Sequence, residues 1–292
     1  METTVLAAPP RLFPLYRAAA LRRPHGSTLP ERALRLDGVT IDRGHLAAYD
    51  RVCGFRLRDE LPATYVHVLA FPMTLSLMTA ADFPFPALGL VHVANTIEVL
   101  RPLTSSDTFS LSVQAEALRP HARGTQLDLV ATASIDDSPV WRGRSTYLRR
   151  NSDKSVRSVR SVSSAAEPPP PASAVWKVPR RTGNDYAAVS GDRNPIHTSR
   201  LMARAFGFKR TIAHGMWTKA RCLAQLEGRL PETFSVSVAF KLPMLLPATV
   251  EFSGAFSGGS DEFAVHDRRT GKPHLAGAIV ELDRADPVEG AR

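Results

Sequence analysis

The chain has 292 residues, of which 43% are hydrophobic, and it carries a formal net charge of +9. Its length is enough for one large domain or two of ordinary size, with the apolar content of a packed globular protein. No apolar run approaches the ~20 residues that span a bilayer, and the N-terminus lacks the pattern of a secretory signal. The two cysteines, Cys53 and Cys222, lie far apart in the sequence and form no metal-binding or redox pair, which favours the reducing cytoplasm.

The positive charge is concentrated in two segments of the chain. Residues 11–23 contain four arginines and no acid, and residues 149–160 contain five basic residues and one acid. Neither segment resembles a folded basic face with interleaved aromatic residues, so nucleic-acid binding is disfavoured. We interpret both segments as solvated basic tails that aid solubility or attract an anionic ligand.

The first half, residues 1–150, is predicted to contain helices followed by an antiparallel sheet. After an N-terminal arm, a strand is expected at 35–41, followed by a helix that Asp42 caps and Gly54 ends. Residues 62–79 are apolar on nearly every side, which is typical of a buried helix that Pro72 kinks or splits. Alternating and β-branched residues then predict four strands, at 91–101, 107–118, 125–136 and 139–149.

The second half, residues 175–292, repeats this layout after a linker at 151–174. The linker is rich in Ser, Arg and Pro and offers no face to bury, so we expect it to be exposed. Beyond it, the sequence predicts an extended segment at 175–179 and a helix that Thr182 or Asn184 caps and that ends near Ser190. Two further helices are predicted, one from Thr198 to Gly207 and a long one from Gly215 to about Gly228. Strands are expected at 233–242, 248–257, 262–268 and 274–283.

The two halves match each other when the chain is shifted by 141 positions without gaps. This shift places Pro102 on Pro243 and Ile97 on Val238, and it preserves the period-two phase of the strands. The same shift aligns Arg51 of the first half with Asp192 of the second, and Arg56 with His197. The sequence therefore indicates two copies of one fold, of which the second alone keeps an acid and an imidazole.

The run from Tyr186 to His197 places an acid, an amide and an imidazole within six positions: Asp192, Asn194 and His197. Gly191 and Pro195 prevent the preceding helical pattern from continuing, so the polar side chains are expected on a tight loop. Gly215 then opens a long helix whose first backbone N–H groups lack acceptors. An acid–imidazole pair that faces a helix N-terminus is equipped to move protons beside a carbonyl group.

These residues resemble the hydratase-2 motif of MaoC-like dehydratases. The resemblance rests on Tyr-Ala-x-x-Ser-Gly-Asp-x-Asn-Pro-Ile-His at 186–197 and on Ile-Ala-His-Gly-Met at 212–216. The layout of the whole chain is similar to the double-hotdog members, of the actinobacterial (3R)-hydroxyacyl-thioester dehydratase type. The resemblance implies an α+β double hotdog fold, in which two antiparallel sheets each wrap a central helix and join into one sheet. Where many single-hotdog relatives carry an acid two positions after the histidine, this chain has Ser199.

The resemblance also implies a function, the reversible hydration of trans-2-enoyl thioesters to (R)-3-hydroxyacyl thioesters without a cofactor. In this scheme Asp192 and His197 share one water, and the N–H of Gly215 stabilises the enolate-like oxygen. The degenerate first half would accommodate the acyl chain. The substrate-binding residues implied around the pair are Ser190, Gly191, Asn194, His214 and Met216.

Several alternatives stay open from the residues themselves. A hotdog-fold thioesterase would use Asp192 at the carbonyl, and a non-catalytic protein would bind acyl thioesters or, through its basic segments, nucleic acid. His214 is expected to bond backbone, and a metal held by Asp192, His197 and His214 is compatible in ligand type but lacks a thiol or a further spaced histidine. His67 and His92 are interpreted as core histidines. The carrier, CoA or acyl carrier protein, and the assembly, monomeric pseudo-dimer or homodimer, are undetermined.

Overall fold

The computed structural model of the protein describes residues 2–21, 28–150, 171–255 and 261–283. Its helices, in chain order, are α1 (Leu12–Leu21), α2 (Arg43–Cys53), α3 (Tyr65–Met78), α4 (Thr182–Ser190), α5 (Pro195–Thr198), α6 (Arg200–Ala205) and α7 (Gly215–Gln225). Its strands are β1 (Glu2–Leu6), β2 (Arg32–Val39), β3 (Leu90–Val99), β4 (Phe109–His121), β5 (Gly124–Ile135), β6 (Ser138–Arg150), β7 (Ala174–Val178), β8 (Phe234–Phe240), β9 (Ala248–Ala255), β10 (Asp261–Asp267) and β11 (Pro273–Glu281).

The strands of the described residues form one continuous sheet. Their order is β1-β2-β4-β5-β6-β3-β8-β11-β10-β9-β7. Only the β1–β2 pair among them is parallel, and every other neighbouring pair is antiparallel. The buried sides of the strands and the two central helices, α3 and α7, contribute to one hydrophobic core. This arrangement is the α+β double hotdog that the sequence predicted, with its two half-sheets joined.

The join between the half-sheets lies at the β3–β8 pair and preserves the repeat of the sequence. Thr96 of β3 faces Ser237 of β8 in the antiparallel register, and these two residues are 141 positions apart. Their side-chain oxygens are 2.9 Å from each other. In an antiparallel pair built from two copies of one strand, equivalent residues face each other only at a two-fold axis. The pseudo-two-fold axis of the molecule therefore passes between Thr96 and Ser237.

The central helices differ from their predicted forms. Helix α3 runs through Pro72 without being split, because its apolar side chains are held on all sides by the core. In α7, Lys219 is fully buried, and its Nζ donates to Asn95 Oδ1 at 2.6 Å and to the carbonyl oxygen of Val236 at 2.9 Å. Burial lowers the pKa of Lys219 well below its usual value. A basic side chain thus binds the second central helix to both strands of the central join.

The ends of other elements also differ in part from expectation. Asp42 caps α2 and Gly54 ends it, as predicted, but α4 begins after Arg181 and is capped by neither Thr182 nor Asn184. The helix predicted from Thr198 to Gly207 is the shorter α6, which begins at Arg200 because the extended residue Ser199 caps it, and α5 lies in the segment that was predicted to be loop. The N-terminal arm forms β1 and α1 and packs on the body, so the interpretation of residues 12–21 as part of a solvated tail was wrong. Most of the predicted linker, residues 151–170, lies outside the described ranges. No helix within those ranges is long and apolar enough to cross a membrane.

Candidate active site

The loop that follows α4 is shaped by its own side chains. Gly191 ends the helix in the left-handed region, with φ of 74°, and a Cβ added there would lie 2.5 Å from Leu12 Cδ1. The backbone N–H of Asp192 donates to Ser190 Oγ at 3.1 Å, and the N–H of Asn194 donates to Asp192 Oδ1 at 3.1 Å. Asn194 in turn caps α5 through its own Oδ1. Asp192 therefore lies on the tight loop that the sequence predicted, whereas His197, predicted on the same loop, lies in the short helix α5.

His197 lies in α5 with a defined tautomer. Its Nδ1 is 2.9 Å from the carbonyl oxygen of Ile212, and because a carbonyl only accepts, Nδ1 carries the proton. Nε2 is then left with a lone pair that can accept a proton. Burial lowers the pKa of His197, and the charge of Asp192 opposes this shift. His197 is therefore a neutral imidazole with one nitrogen ready to act as a base.

His214 stacks on His197 and also contacts the loop that carries Asp192. The two ring centroids are 3.7 Å apart, at an interplanar angle of 26°. His214 Nε2 donates to the backbone oxygen of Asp192 at 2.9 Å and lies 3.9 Å from Asp192 Oδ2. Burial and the neighbouring His197 lower the pKa of His214 well below its usual value. His214 therefore forms a hydrogen bond with a backbone group, as the sequence predicted, and that group belongs to the loop that carries Asp192.

The structure brings Asp192, His197 and His214 together. One nitrogen or oxygen atom from each side chain lies within 4.8 Å of the others. The Asp192 side chain is 32% exposed, whereas both imidazoles are buried. This geometry lets a carboxylate and a neutral imidazole act on one small molecule between them. The three side chains are also close enough to offer one ligand atom each to a metal ion, and among the described residues His214 Nδ1 has no hydrogen-bond partner.

Gly215 begins α7, directly after His214. As the first residue of the helix, its N–H has no acceptor within the helix and lies at the positive end of the helix dipole. A Cβ on Gly215 would lie 2.9 Å from the ring of Phe240, so the absence of a side chain lets the ring approach. Met216, which the sequence also placed at the site, lies in the hydrophobic core and is 5% exposed.

Aromatic rings of the first half adjoin Phe240. His92 of β3 lies 4.9 Å from Phe240 and 4.7 Å from Tyr147 of β6, measured between ring centroids. His67 of α3 lies 6.3 Å from His92. Burial lowers the pKa of His67 to about 4 and lowers the pKa of His92 well below its usual value, so both rings are neutral near pH 7. The sequence suggested that both are core histidines. In the structure both residues keep some accessible surface, so neither is fully enclosed in the core.

Tyr16 of the N-terminal arm also belongs to the site, and sequence reasoning missed it. Its hydroxyl donates to the carbonyl oxygen of Gly191 at 2.8 Å and accepts from the N–H of Arg193 at 2.7 Å. These two contacts bracket Asp192 on both sides. Burial raises the pKa of Tyr16, and the charge of Asp192 adds to the shift. No local pattern marks this residue, because the contacts join segments about 175 positions apart.

The matching position in the first half carries no acid. Helix α2 ends at Gly54 with φ of 84°, as α4 ends at Gly191, and the residue that follows is Phe55 where the second half has Asp192. The shift between these helix ends is 137 positions, so the ungapped pairing of Asp192 with Arg51 does not hold. Phe55 borders a cleft of about 200 Å³ with Leu61, Trp141 and Leu223. Within the described ranges, the acid–imidazole pair exists in the second half alone.

Comparison with known proteins places the chain in a family. The MaoC like domain matches residues 162–278. The 3-hydroxyacyl-thioester dehydratase X of Mycobacterium tuberculosis is 37% identical over 287 residues, which cover 95% of this chain and 100% of the relative.

Two solved structures have the same fold. The crystal structure of HtdX from Mycobacterium tuberculosis superposes with a TM-score of 0.76 at 37% identity, over 86% of this chain and 100% of that one. A MaoC-like dehydratase from Phytophthora capsici superposes with a TM-score of 0.70 at 19% identity, over 88% of this chain and 97% of that one. The extent and identity of the first relative decide the assignment: this chain belongs to the MaoC-like dehydratase family.

Proposed function

We propose that the protein catalyses the reversible hydration of trans-2-enoyl thioesters to (R)-3-hydroxyacyl thioesters. The observation that carries the proposal is the meeting of the Asp192 carboxylate and the neutral His197 imidazole beside the first residue of α7. The Mycobacterium tuberculosis relative, named a 3-hydroxyacyl-thioester dehydratase, supports the same reaction class.

In the hydration direction, Asp192 and His197 hold one water between them. As the water oxygen attacks C3, one of its protons passes to the pair, and the pair delivers a proton to C2. The hydroxyl group of the water thus ends on C3 and a proton ends on C2, and both side chains return to their initial protonation states. Dehydration uses the same groups in reverse, removing the C2 proton and protonating the departing 3-hydroxyl. The Nδ1–H bond from His197 to Ile212 keeps the imidazole oriented throughout.

Attack at C3 places negative charge on the thioester oxygen. We assign its stabilisation to the N–H of Gly215, which has no acceptor within α7 and adds the helix dipole. Loss of one such donor typically raises a barrier by about 3–4 kcal/mol. Ser190 and Asn194 serve this chemistry indirectly, because their hydrogen bonds fix the loop that carries Asp192.

The test is turnover of crotonyl-CoA by the parent, Asp192→Asn and His197→Ala. We expect hydration, seen as loss of the enoyl absorbance without release of free thiol, to fall by about 10²–10⁴-fold in both variants. Asp185→Asn and His121→Ala are matched controls, since both residues lie outside the site, and they should retain parental rates. Release of free thiol by the parent would instead indicate a thioesterase, and full activity of either dyad variant would refute the proposed mechanism.

We further propose that the first half, residues 1–150, accommodates the acyl chain. The support is the row of rings that begins at Phe240 beside Gly215 and continues to His92 and Tyr147. Turnover of a decenoyl thioester should therefore exceed that of the crotonyl thioester, and a clear preference for crotonyl would count against this role. A cytoplasmic location is also part of the proposal, supported by the free, buried thiols of Cys53 and Cys222.

A further inference from the structure

Three arginines from separate segments meet at a cleft of about 120 Å³ beside His197. Arg180 precedes α4, Arg200 begins α6, and Arg210 lies shortly before α7. The other residues that line the cleft are Asn184, His197, Thr198, Thr211 and Leu246. None of the lining side chains is acidic.

These arginines are largely uncompensated by protein groups. Among the described residues, neither Arg180 nor Arg200 has an ion-pair partner, and Arg210 donates only to the carbonyl oxygen of Pro247, at 3.4 Å. The neighbouring Arg181 differs, because it pairs with Asp185 at 3.4 Å. Three like charges around one small cleft repel one another, and an anion bound between them relieves that repulsion.

We propose that this cleft binds a phosphate group of the carrier that presents the thioester. The proposal rests on the proposed function, since it concerns the same substrate. Guanidinium groups match phosphate oxygens in geometry and charge, and Asn184 and Thr198 add neutral donors. His197 is itself one of the residues that line the cleft, so the proposed phosphate site adjoins a residue of the dyad.

Two carriers share this chemistry. CoA has a 3′-phosphate, a diphosphate and the pantetheine arm, whereas acyl carrier protein presents a single phosphate on the same arm. The arginines do not touch the reacting atoms, so their removal weakens binding and leaves the chemical step intact. A lost charge-assisted hydrogen bond of this kind raises KM by about tenfold or more.

The experiment compares Arg180→Gln, Arg200→Gln and Arg210→Gln with the matched control Arg181→Gln. Substrates are the crotonyl thioesters of CoA, 3′-dephospho-CoA, 4′-phosphopantetheine and pantetheine, the last of which has no phosphate. We expect KM for crotonyl-CoA to rise about tenfold in each of the three variants at constant kcat, and to stay at the parental value in Arg181→Gln. KM for crotonyl-pantetheine should be the same in all proteins.

The four substrates also identify the phosphate. If the effect of the arginine variants disappears with 3′-dephospho-CoA, the cleft holds the 3′-phosphate of CoA. If the effect persists with 4′-phosphopantetheine, the cleft holds the phosphate common to CoA and acyl carrier protein. An unchanged KM for crotonyl-CoA, or an equal rise with crotonyl-pantetheine, would overturn the proposal.

Calorimetric titration with free CoA separates this proposal from the proposed function. If the parent hydrates no crotonyl thioester, the proposed reaction fails. Binding of CoA that weakens in the arginine variants and not in Arg181→Gln would then still establish the cleft. Absence of CoA binding to the parent, or equal binding by all variants, would refute the cleft.

Discussion

The hydroxyl of Tyr16 accepts a hydrogen bond from the backbone N–H of Arg193 at 2.7 Å, 177 positions along the chain. Since the same hydroxyl donates to Gly191, the N-terminal arm fixes both peptide groups that flank Asp192. We expect Tyr16→Phe to lower kcat by about 10–10² at nearly constant KM, because misplacing a catalytic group by a fraction of an ångström is costly.

Tyr49→Phe is the control for this prediction. It removes another tyrosine hydroxyl hydrogen bond, to Thr64 Oγ1, away from the Asp192 loop. Both variants should lose about 1 kcal/mol in free energy of unfolding, and only Tyr16→Phe should lose turnover. Equal kcat values in the two variants would show that Tyr16 has a structural role alone.

The pH dependence of turnover should follow His197. Its pKa is lowered by burial from the usual 6.5, so the neutral imidazole persists below that pH. Protonation of Nε2 removes the base, and kcat/KM should therefore fall only on the acid side of pH 6.5. A series of initial rates between pH 4.5 and 8 checks this. An acid limb centred above 6.5 would contradict the assignment.

Substitution of Gly215 should act on the site through Phe240. A Cβ at Gly215 would lie 2.9 Å from two carbons of the Phe240 ring, and this ring, which packs on His92, must then shift. We expect Gly215→Ala to reduce kcat/KM by about 10²-fold. Gly228 has a positive φ, which an alanine would strain, so Gly228→Ala is not a suitable control. The control is Ala224→Gly, which changes the same helix as Gly215 at a position away from the site. The double variant Gly215→Ala, Phe240→Leu should recover part of the loss, and no recovery would argue against a steric cause.

Asp50 should destabilise the protein at neutral and alkaline pH. The side chain is 1% exposed and its Oδ1 has no hydrogen-bond partner, and burial, aided by Glu227, raises its pKa from 3.8 to about 7. The folded state therefore holds a proton that the unfolded state has lost, and this carboxyl costs increasing stability as pH rises from about 4 to 7. Urea unfolding should show Asp50→Asn more stable than the parent by about 1–3 kcal/mol at pH 8, with little difference at pH 4. A destabilised variant at pH 8 would contradict this.

Local patterns predicted the parts of the structure that depend on local physics. The strands alternate in polarity, so their positions and phase followed from the sequence, and the Gly191–Pro195 turn required the loop that carries Asp192. The resemblance to a family supplied the roles of these residues. The continuity of α3 through Pro72 was not predictable, because tertiary packing outweighs the local cost of proline there.

Contacts between distant segments account for the rest of the difference. The hydroxyl of Tyr16 contacts the Asp192 loop, and the ammonium of Lys219 contacts Asn95, across more than 100 positions of the chain, so no local sequence pattern predicts either contact. The cleft lined by Arg180, Arg200 and Arg210 was also not predictable, since the sequence around each arginine is typical of an ordinary surface residue. Their convergence is a property of the folded chain.

The facing pair Thr96 and Ser237 marks where two equivalent halves became one polypeptide. In a symmetric homodimer, one codon change alters both subunits, so equivalent positions always carry the same residue. Here each half mutates independently. Phe55 and Asp192 follow matching helix ends within one molecule, so this pair of positions differs between the halves, which a symmetric homodimer cannot achieve.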